Sequence, residues 1–121
     1  MPQRVLIVDD HQDGREALGE LLRGWDYDVA VAADGCEGIT LALELRPEVV
    51  LLDIGLPDLD GHEVARRIRA GCGRDAPAVI ALTGSDEDEQ RSPVRFDAYV
   101  LKPAEPDALR LVVESVLKAR A

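Results

Sequence analysis

Short apolar runs alternate with segments of helical periodicity five times along the chain, and this alternation restricts the fold more than any other feature. Val5–Val8, Val49–Leu52 and Val79–Leu82 are continuously apolar, which is typical of strands covered on both faces. Two further strands are predicted at Tyr27–Val31 and Asp97–Leu101. Strands separated by helices predict an α/β fold with a parallel sheet.

Helical spacing of apolar residues, together with start and stop residues, predicts the helices. The segments are Gln12–Arg23 (closed by Gly24), Glu37–Leu45 (ended by Pro47), a helix opened by Asp60-Gly61 and closed by Gly71-Cys72-Gly73, and Glu105–Ala119. Five strand–helix units are too few for a TIM barrel. They predict an open, doubly wound (βα)5 sheet of the flavodoxin-like type, with strand order 2-1-3-4-5. We expect residues 1–121 to form one domain with no output domain.

Composition limits the partners. The chain has 14 basic and 24 acidic side chains and a net charge of −10. An acidic surface argues against binding to a nucleic acid backbone or to an anionic membrane. No signal peptide or membrane-length apolar stretch is present, and we read Cys36 and Cys72 as reduced thiols, so a cytoplasmic protein is expected.

The residues that end the predicted strands carry the functional signal. Strand 1 ends at Asp9 and Asp10, strand 3 at Asp53, strand 4 at Thr83 and strand 5 at Lys102. Ligands of open α/β sheets bind outside the carboxyl ends of the strands, at the point where strand order reverses. Strands 1 and 3 flank that point, so three carboxylates are expected to share one crevice with a hydroxyl and an ammonium group.

This set of groups predicts a magnesium-dependent phosphoryl site. Three neighbouring carboxylates remain ionised together only when a positive charge joins them. Oxygen ligands suit Mg²⁺, which favours phosphoryl ligands, and a carboxylate can act as the nucleophile. Each residue alone has an ordinary explanation: a helix N-cap for Asp9 and Asp10, a turn for Asp53, a small strand residue for Thr83 and a solvated Lys102. Together they favour the functional interpretation.

Four segments resemble the receiver domain of bacterial response regulators, the CheY-like family. They are VLIVDD (Val5 to Asp10), LLDIGLPDLDG (Leu51 to Gly61), ALTG (Ala81 to Gly84) and FDAYVLKP (Phe96 to Pro103), in order and each at a predicted strand end. The resemblance covers essentially the whole chain. It implies a receiver of two-component phosphorelay signalling. Such a receiver is not a conventional enzyme, although it assists its own phosphorylation and dephosphorylation.

The resemblance also implies roles for individual residues. Asp53 would be the phosphoacceptor, and it would bind Mg²⁺ together with Asp10 and the Gly55 carbonyl, while Asp9 would act through a water molecule. Thr83 and Lys102 would hold the phosphoryl oxygens. Thr83 and Tyr99 would form the conformational switch. The Lys102–Pro103 bond would be cis.

One region departs from the family pattern. The stretch from Thr83 to Lys102 is about three residues short by comparison with the family, contains Pro93 and has almost no apolar face. Arg95 stands where the family usually has glycine. We therefore expect a shortened or irregular fourth helix, and this expectation casts doubt on any standard partner or dimer at that surface.

Partners and alternatives follow from the same reading. The expected phosphoryl donor is a histidine kinase or a histidine phosphotransfer protein. The expected output is contact with an unknown downstream protein, and a weak homodimer is an alternative that the sequence does not decide. The chain fits either a stand-alone regulator or the receiver of a hybrid kinase. A magnesium-dependent aspartyl-phosphate phosphohydrolase is one alternative, although Gly55 stands where those enzymes place a second Asp. A degenerate, phosphorylation-independent binding module is the other.

The sequence predicts no functional role for either histidine. His11 follows the acidic pair and is expected to face solvent at the start of the first helix, with the rim of the crevice as the alternative. His62 is expected on the third helix, away from the chemistry.

Overall fold

The computed structural model describes residues 2–84 and 96–120. Five strands form one parallel sheet of order β2-β1-β3-β4-β5, so the predicted topology is confirmed. The strands are β1 (Arg4–Val8), β2 (Asp28–Ala32), β3 (Val49–Asp53), β4 (Ala78–Thr83) and β5 (Ala98–Leu101). Each lies within one residue of its predicted position at either end.

Four helices are described. They are α1 (Gln12–Gly24), α2 (Gly35–Leu45), α3 (Gly61–Cys72), which continues into a short 3-10 turn at Gly73–Asp75, and the C-terminal helix (Pro106–Arg120). The predicted fourth helix between β4 and β5 falls at positions 85–95 and lies outside the described residues. Among the described helices, none is both long enough and apolar enough to cross a bilayer.

The helix ends follow local chemistry. The Asp34 side chain accepts a hydrogen bond from the Glu37 N–H and caps α2. Asp60 accepts from the His62 N–H and caps α3. Because these caps satisfy N–H groups that the helices cannot satisfy themselves, the turns Asp34-Gly35 and Asp60-Gly61 begin helices at the predicted points.

Alternate side chains of the central strands enter two separate cores. Val5 and Ile7 of β1 pack on one face of the sheet with Leu109 of the C-terminal helix. Leu6 and Val8 pack on the opposite face, with residues of α2 and α3. Since both faces are covered, β1, β3 and β4 have almost no exposed side chains.

Parallel pairing brings the carboxyl ends of the strands to one edge of the sheet. Asp53 is paired with Leu82, and Thr83 with Leu101, in the register of the sheet. The Asp9 N–H donates to the Ala32 carbonyl at 3.1 Å, which holds the residue after β1 against the end of β2. The polar residues that follow β1, β3, β4 and β5 therefore lie on rigid supports around one crevice.

Candidate functional site

Three carboxylates meet where β1 and β3 end. Asp9 and Asp53 are buried, with 2% and 5% of their surface exposed, whereas Asp10 is half-buried. One carboxylate oxygen from each of these residues, together with a ring nitrogen of His11, falls in a group whose members all lie within 4.8 Å of one another. The predicted cluster of acidic groups at the switch point of the sheet is therefore present.

Lys102 brings a positive charge into the crevice. Its Nζ lies 2.8 Å from Asp53 Oδ2 and 3.7 Å from Asp9 Oδ2. Its backbone N–H donates to the Thr83 carbonyl at 2.8 Å, so the residues that end β4 and β5 are joined directly. Thr83 itself is buried. The sequence-predicted group of Asp9, Asp10, Asp53, Thr83 and Lys102 is thus gathered at one edge of the sheet.

Two buried carboxylate oxygens in the crevice have charged or polar neighbours but accept no hydrogen bond of regular geometry from any described residue. They are Asp10 Oδ1, 3.3 Å from His11 Nδ1, and Asp53 Oδ2, 2.8 Å from Lys102 Nζ. Buried carboxylate oxygens are normally paired or bound to a metal. One ammonium group cannot neutralise three carboxylates, so the donor set fits a hard divalent cation such as Mg²⁺.

His11 is exposed at the start of α1, as predicted, and its ring also reaches the rim of the crevice, the alternative position. Its side chain is 70% exposed, but Nδ1 lies 3.2 Å from Asp9 Oδ1, 3.3 Å from Asp10 Oδ1 and 3.8 Å from Asp53 Oδ2. The ring therefore stands at the rim of the crevice, with one nitrogen directed at the carboxylates. The signal was its position directly after the acidic pair, where the turn into α1 folds the side chain back over Asp9.

The loop after β3 is fixed at both of its ends. The Gly55 N–H donates to Asp53 Oδ1 at 3.0 Å. Further along, the Asp58 carboxylate accepts the N–H groups of Gly35 at 2.9 Å and Cys36 at 3.0 Å, at the start of α2. These hydrogen bonds lower the pKa of Asp58 from 3.8 to about 2. The bond from Gly35 has the largest effect, and the bonds from Cys36 have smaller ones. Sequence reasoning did not identify this connection, because it joins residues that are far apart in the chain.

Tyr99 lies on β5 and is half-buried. Its ring meets the Phe96 ring edge-on, with the centroids 5.5 Å apart. Thr83 and Tyr99 both border a cavity of about 430 Å³ beside the start of the C-terminal helix. The Lys102–Pro103 bond is cis, as the resemblance implied.

The other residues considered in the sequence lie away from the crevice. His62 is on α3, with Nδ1 2.7 Å from Asp60 Oδ1 and its ring 5.4 Å from the Phe96 ring. Cys72 is buried and Cys36 is exposed at the start of α2. The hydrogen bond between the Cys36 thiol and Asp58 raises the pKa of that thiol, which lowers its reactivity.

Comparison with known proteins identifies the family. The response regulator receiver domain family matches residues 5–114, so the chain belongs to the receiver domain family of two-component signalling proteins. Among curated proteins, it is 38% identical over 118 residues to the DNA-binding response regulator MtrA of Mycolicibacterium smegmatis, a match that covers 98% of this chain and 52% of MtrA. The chain thus spans about half the length of the curated relatives it matches.

Solved structures agree with this assignment. The chemotaxis response regulator CheY4 of Vibrio cholerae superposes with a TM-score of 0.88 at 26% identity, covering 96% of this chain and 99% of CheY4. The receiver domain of the sensor histidine kinase PA1611 of Pseudomonas aeruginosa superposes with a TM-score of 0.89 at 27% identity, covering 98% and 99%. That domain has a magnesium ion coordinated in its active site cleft. MtrA is described as DNA-binding, so the absence of a nucleic acid partner stays a prediction.

Proposed function

We propose that this receiver domain accepts a phosphoryl group on Asp53 from the phosphohistidine of a histidine kinase or phosphotransfer protein, in a reaction that requires Mg²⁺. The observation that carries the proposal is the buried Asp53 carboxylate, with Lys102 Nζ 2.8 Å from its Oδ2 and Asp9 and Asp10 beside it. A reactive carboxylate next to a fixed cation and a metal-binding pair is suited to phosphoryl transfer.

The metal-binding residues would be Asp10 and Asp53 directly, Asp9 through a water molecule, and the Gly55 carbonyl. The buried oxygens Asp10 Oδ1 and Asp53 Oδ2, which accept no hydrogen bond of regular geometry from the described residues, support this assignment. When bound, Mg²⁺ would neutralise the carboxylates and the incoming phosphoryl oxygens. The hydrogen bond from the Gly55 N–H to Asp53 Oδ1 would meanwhile keep the acceptor carboxylate in a fixed orientation.

The chemical step would exchange one bond to phosphorus for another. A carboxylate oxygen of Asp53 forms a P–O bond as the P–N bond of the donor phosphohistidine breaks, and the imidazole leaves with the electron pair of that bond. Lys102 would then turn from Asp53 to the phosphoryl oxygens, since its ammonium group already lies in the crevice. The Thr83 hydroxyl would donate a hydrogen bond to the same oxygens.

An apolar groove next to the crevice would receive the phosphoryl donor. The groove has a volume of about 700 Å³ and runs between α1 and the start of the C-terminal helix. Leu18 and Leu21 line one side, Pro103 and Ala104 the other, and Asp9 and Lys102 border the same groove. A helical partner seated there would bring a phosphohistidine to Asp53 while burying its own apolar side chains.

The output would be a change in protein–protein contact. Phosphorylation at Asp53 would draw Thr83 towards the crevice and shift Tyr99, which borders the same cavity as Thr83. The signal would reach a downstream protein through the surface around β5. Residues 1–121 would act as one receiver unit, either alone or within a hybrid kinase.

One experiment tests the proposal. The protein is incubated with acetyl phosphate and Mg²⁺ and its intact mass is measured beside that of the Asp53→Asn variant. We expect a gain of one phosphoryl group, about 80 Da, that is absent from the variant and absent when EDTA removes the metal. Asp75→Asn, which changes an exposed acid far from the crevice, serves as the matched control and should retain the gain.

Two other outcomes would contradict the proposal. Rapid release of phosphate from phosphate esters would favour a phosphohydrolase. No mass gain at any donor concentration would leave a binding module that works without phosphorylation.

A further inference from the structure

We infer that His11 makes the crevice a mixed imidazole–carboxylate site that binds transition-metal ions such as Ni²⁺ and Zn²⁺ more tightly than Mg²⁺, with Nδ1 as a direct ligand. This inference rests on the divalent-cation site of the proposed function and adds a ligand to it. The juxtaposition that carries it is one ring nitrogen within 3.8 Å of oxygens from all three crevice carboxylates.

The distances have the values expected within one coordination shell. Ligands 2.1 Å from an ion lie about 3.0 Å apart at adjacent octahedral positions and about 3.4 Å apart in a tetrahedron. His11 Nδ1 shares a hydrogen bond with Asp9 Oδ1 at 3.2 Å and lies 3.3 Å from an Asp10 oxygen. A cation that replaces the shared proton would contact the imidazole and the carboxylates of Asp10 and Asp53 directly, and Asp9 through a water molecule.

A separate observation shows that the carboxylates face a place for a cation. Asp53 Oδ2 is buried and belongs to a side chain that is only 7% exposed, and its ion-pair partner is Lys102 Nζ, 2.8 Å away. The lysine side chain is 31% exposed and can withdraw along its flexible stem, which would release this oxygen to a cation. The site thus holds an oriented imidazole nitrogen and a buried anionic oxygen whose lysine partner can be exchanged for a metal ion.

The imidazole decides which metal the site prefers. Carboxylate, carbonyl and water ligands suit Mg²⁺ and Mn²⁺, whereas imidazole adds affinity for Ni²⁺ and Zn²⁺. The His11 side chain is largely exposed, so its Nε2 can stay in contact with water while Nδ1 binds metal. Of the two histidines in the chain, His62 lies on α3 beside Phe96 and serves as an internal control.

Calorimetric titration of the full chain with Ni²⁺ and with Mg²⁺ tests the inference. We compare the wild type with His11→Ala, His62→Ala and Asp53→Asn, after circular dichroism has shown that each is folded. Loss of His11 should lower Ni²⁺ affinity about tenfold or more while Mg²⁺ affinity changes less than about twofold. His62→Ala should change neither affinity, and Asp53→Asn should weaken both.

Pulsed electron paramagnetic resonance of bound Mn²⁺ gives a direct readout. A nitrogen coupling should be present in the wild type and in His62→Ala, and absent in His11→Ala. If His11→Ala leaves the Ni²⁺ affinity unchanged, or lowers the Ni²⁺ and Mg²⁺ affinities by the same factor, the imidazole is not a ligand. The inference is then wrong, while the proposed Mg²⁺ site stands. If Asp53→Asn leaves both affinities unchanged, the crevice is not the metal site and both proposals are wrong.

Discussion

Lys102 Nζ lies 2.8 Å from Oδ2 of Asp53, so the ends of β5 and β3 carry an ion pair that spans β4. The Asp53 side chain is 7% exposed and that of Lys102 is 31% exposed. An ammonium group this close to a largely buried carboxylate is attracted to it more strongly than in a fully exposed pair. Because the lysine stem is flexible, the same group can still turn to another anion.

The first prediction concerns that ammonium group. Lys102→Met should reduce the rate of phosphoryl uptake from acetyl phosphate about 100-fold, because a fixed donor to the transferring group is lost. The rate is measured by intact mass at several times after mixing. Lys118→Met is the matched control, since Lys118 is the other lysine of the chain and lies exposed on the C-terminal helix. Equal rates in the two variants would contradict a role for Lys102.

The second prediction concerns stabilisation by the metal. A cation that binds only the folded state at about 100 times its Kd raises the free energy of unfolding by about 2.7 kcal/mol. We expect Mg²⁺ to have this effect on the wild type and to lose it in Asp10→Asn. Urea unfolding with Mg²⁺ and with EDTA measures the difference. Asp13→Asn, which changes an exposed acid in the first turn of α1, should keep the effect; if it does not, the stabilisation does not come from the crevice.

The third prediction concerns the pH dependence of Asp58. Backbone hydrogen bonds lower its pKa from 3.8 to about 2 in the folded state. The carboxylate therefore contributes stability that is present above pH 4 and is lost as the pH falls towards 2. Because Asp58 is exposed, we expect Asp58→Ala to lose on the order of 1 kcal/mol at pH 7. The difference from the wild type should shrink between pH 4 and pH 2.

Glu63 provides the control for this experiment. Ion pairs with Arg66 and Arg67 lower its pKa to about 2, but these contacts are between exposed side chains on one helix. Added salt should therefore weaken the effect of Glu63→Gln more than that of Asp58→Ala, which acts through backbone N–H groups. Chemical denaturation at low and high salt measures the loss of stability in each variant. If salt reduces the loss in Asp58→Ala more than the loss in Glu63→Gln, Asp58 acts only as a surface charge.

The fourth prediction concerns the close approach of α3 to the loop after β3. A Cβ on Gly61 would lie 2.6 Å from the Ile54 Cα, and backbone cannot yield as a flexible side chain does. Gly61→Ala should therefore destabilise the fold by about 1–3 kcal/mol and weaken Mg²⁺ binding, since Ile54 directly follows Asp53. In Gly24→Ala the new Cβ would meet nothing within 4 Å, and this control should be neutral or stabilising by up to about 1 kcal/mol. Equal stability of the two variants would contradict the predicted clash.

The sequence was sufficient for the sheet because its strands are buried on both faces. Continuous apolar runs such as Val5–Val8 and Val49–Leu52 are typical of strands at this length, and the alternation with helices predicts a parallel sheet. The strand order 2-1-3-4-5 is the common order for five such units. The position of β2 is off by one residue, because this half-exposed edge strand has a weaker pattern. The residues that follow these apolar runs mark the strand ends, so the sequence also predicts the residues of the crevice.

The apolar pattern of the sequence does not predict side-chain directions or contacts between distant loops. The sequence predicts an exposed His11 at the start of α1, and the side chain is 70% exposed. The sequence does not decide whether the ring also reaches the crevice, because the turn into α1 sets the direction of Nδ1 towards the carboxylates. The contact of Asp58 with Gly35 joins two loops that only the folded sheet brings together. Neither relationship leaves a periodic signal in the sequence.

The central position of β3 has a mechanical consequence. This strand is hydrogen-bonded to β1 on one side and to β4 on the other, whereas β5 has a sheet partner on one side only among residues 2–84 and 96–120. Under the proposed function, a phosphoryl charge added at Asp53 would act on a strand that is held on both sides. A displacement there would pass outward to β5 through the hydrogen bond from the Lys102 N–H to the Thr83 carbonyl. The protein would then convert a chemical change at the centre of its sheet into movement at the edge.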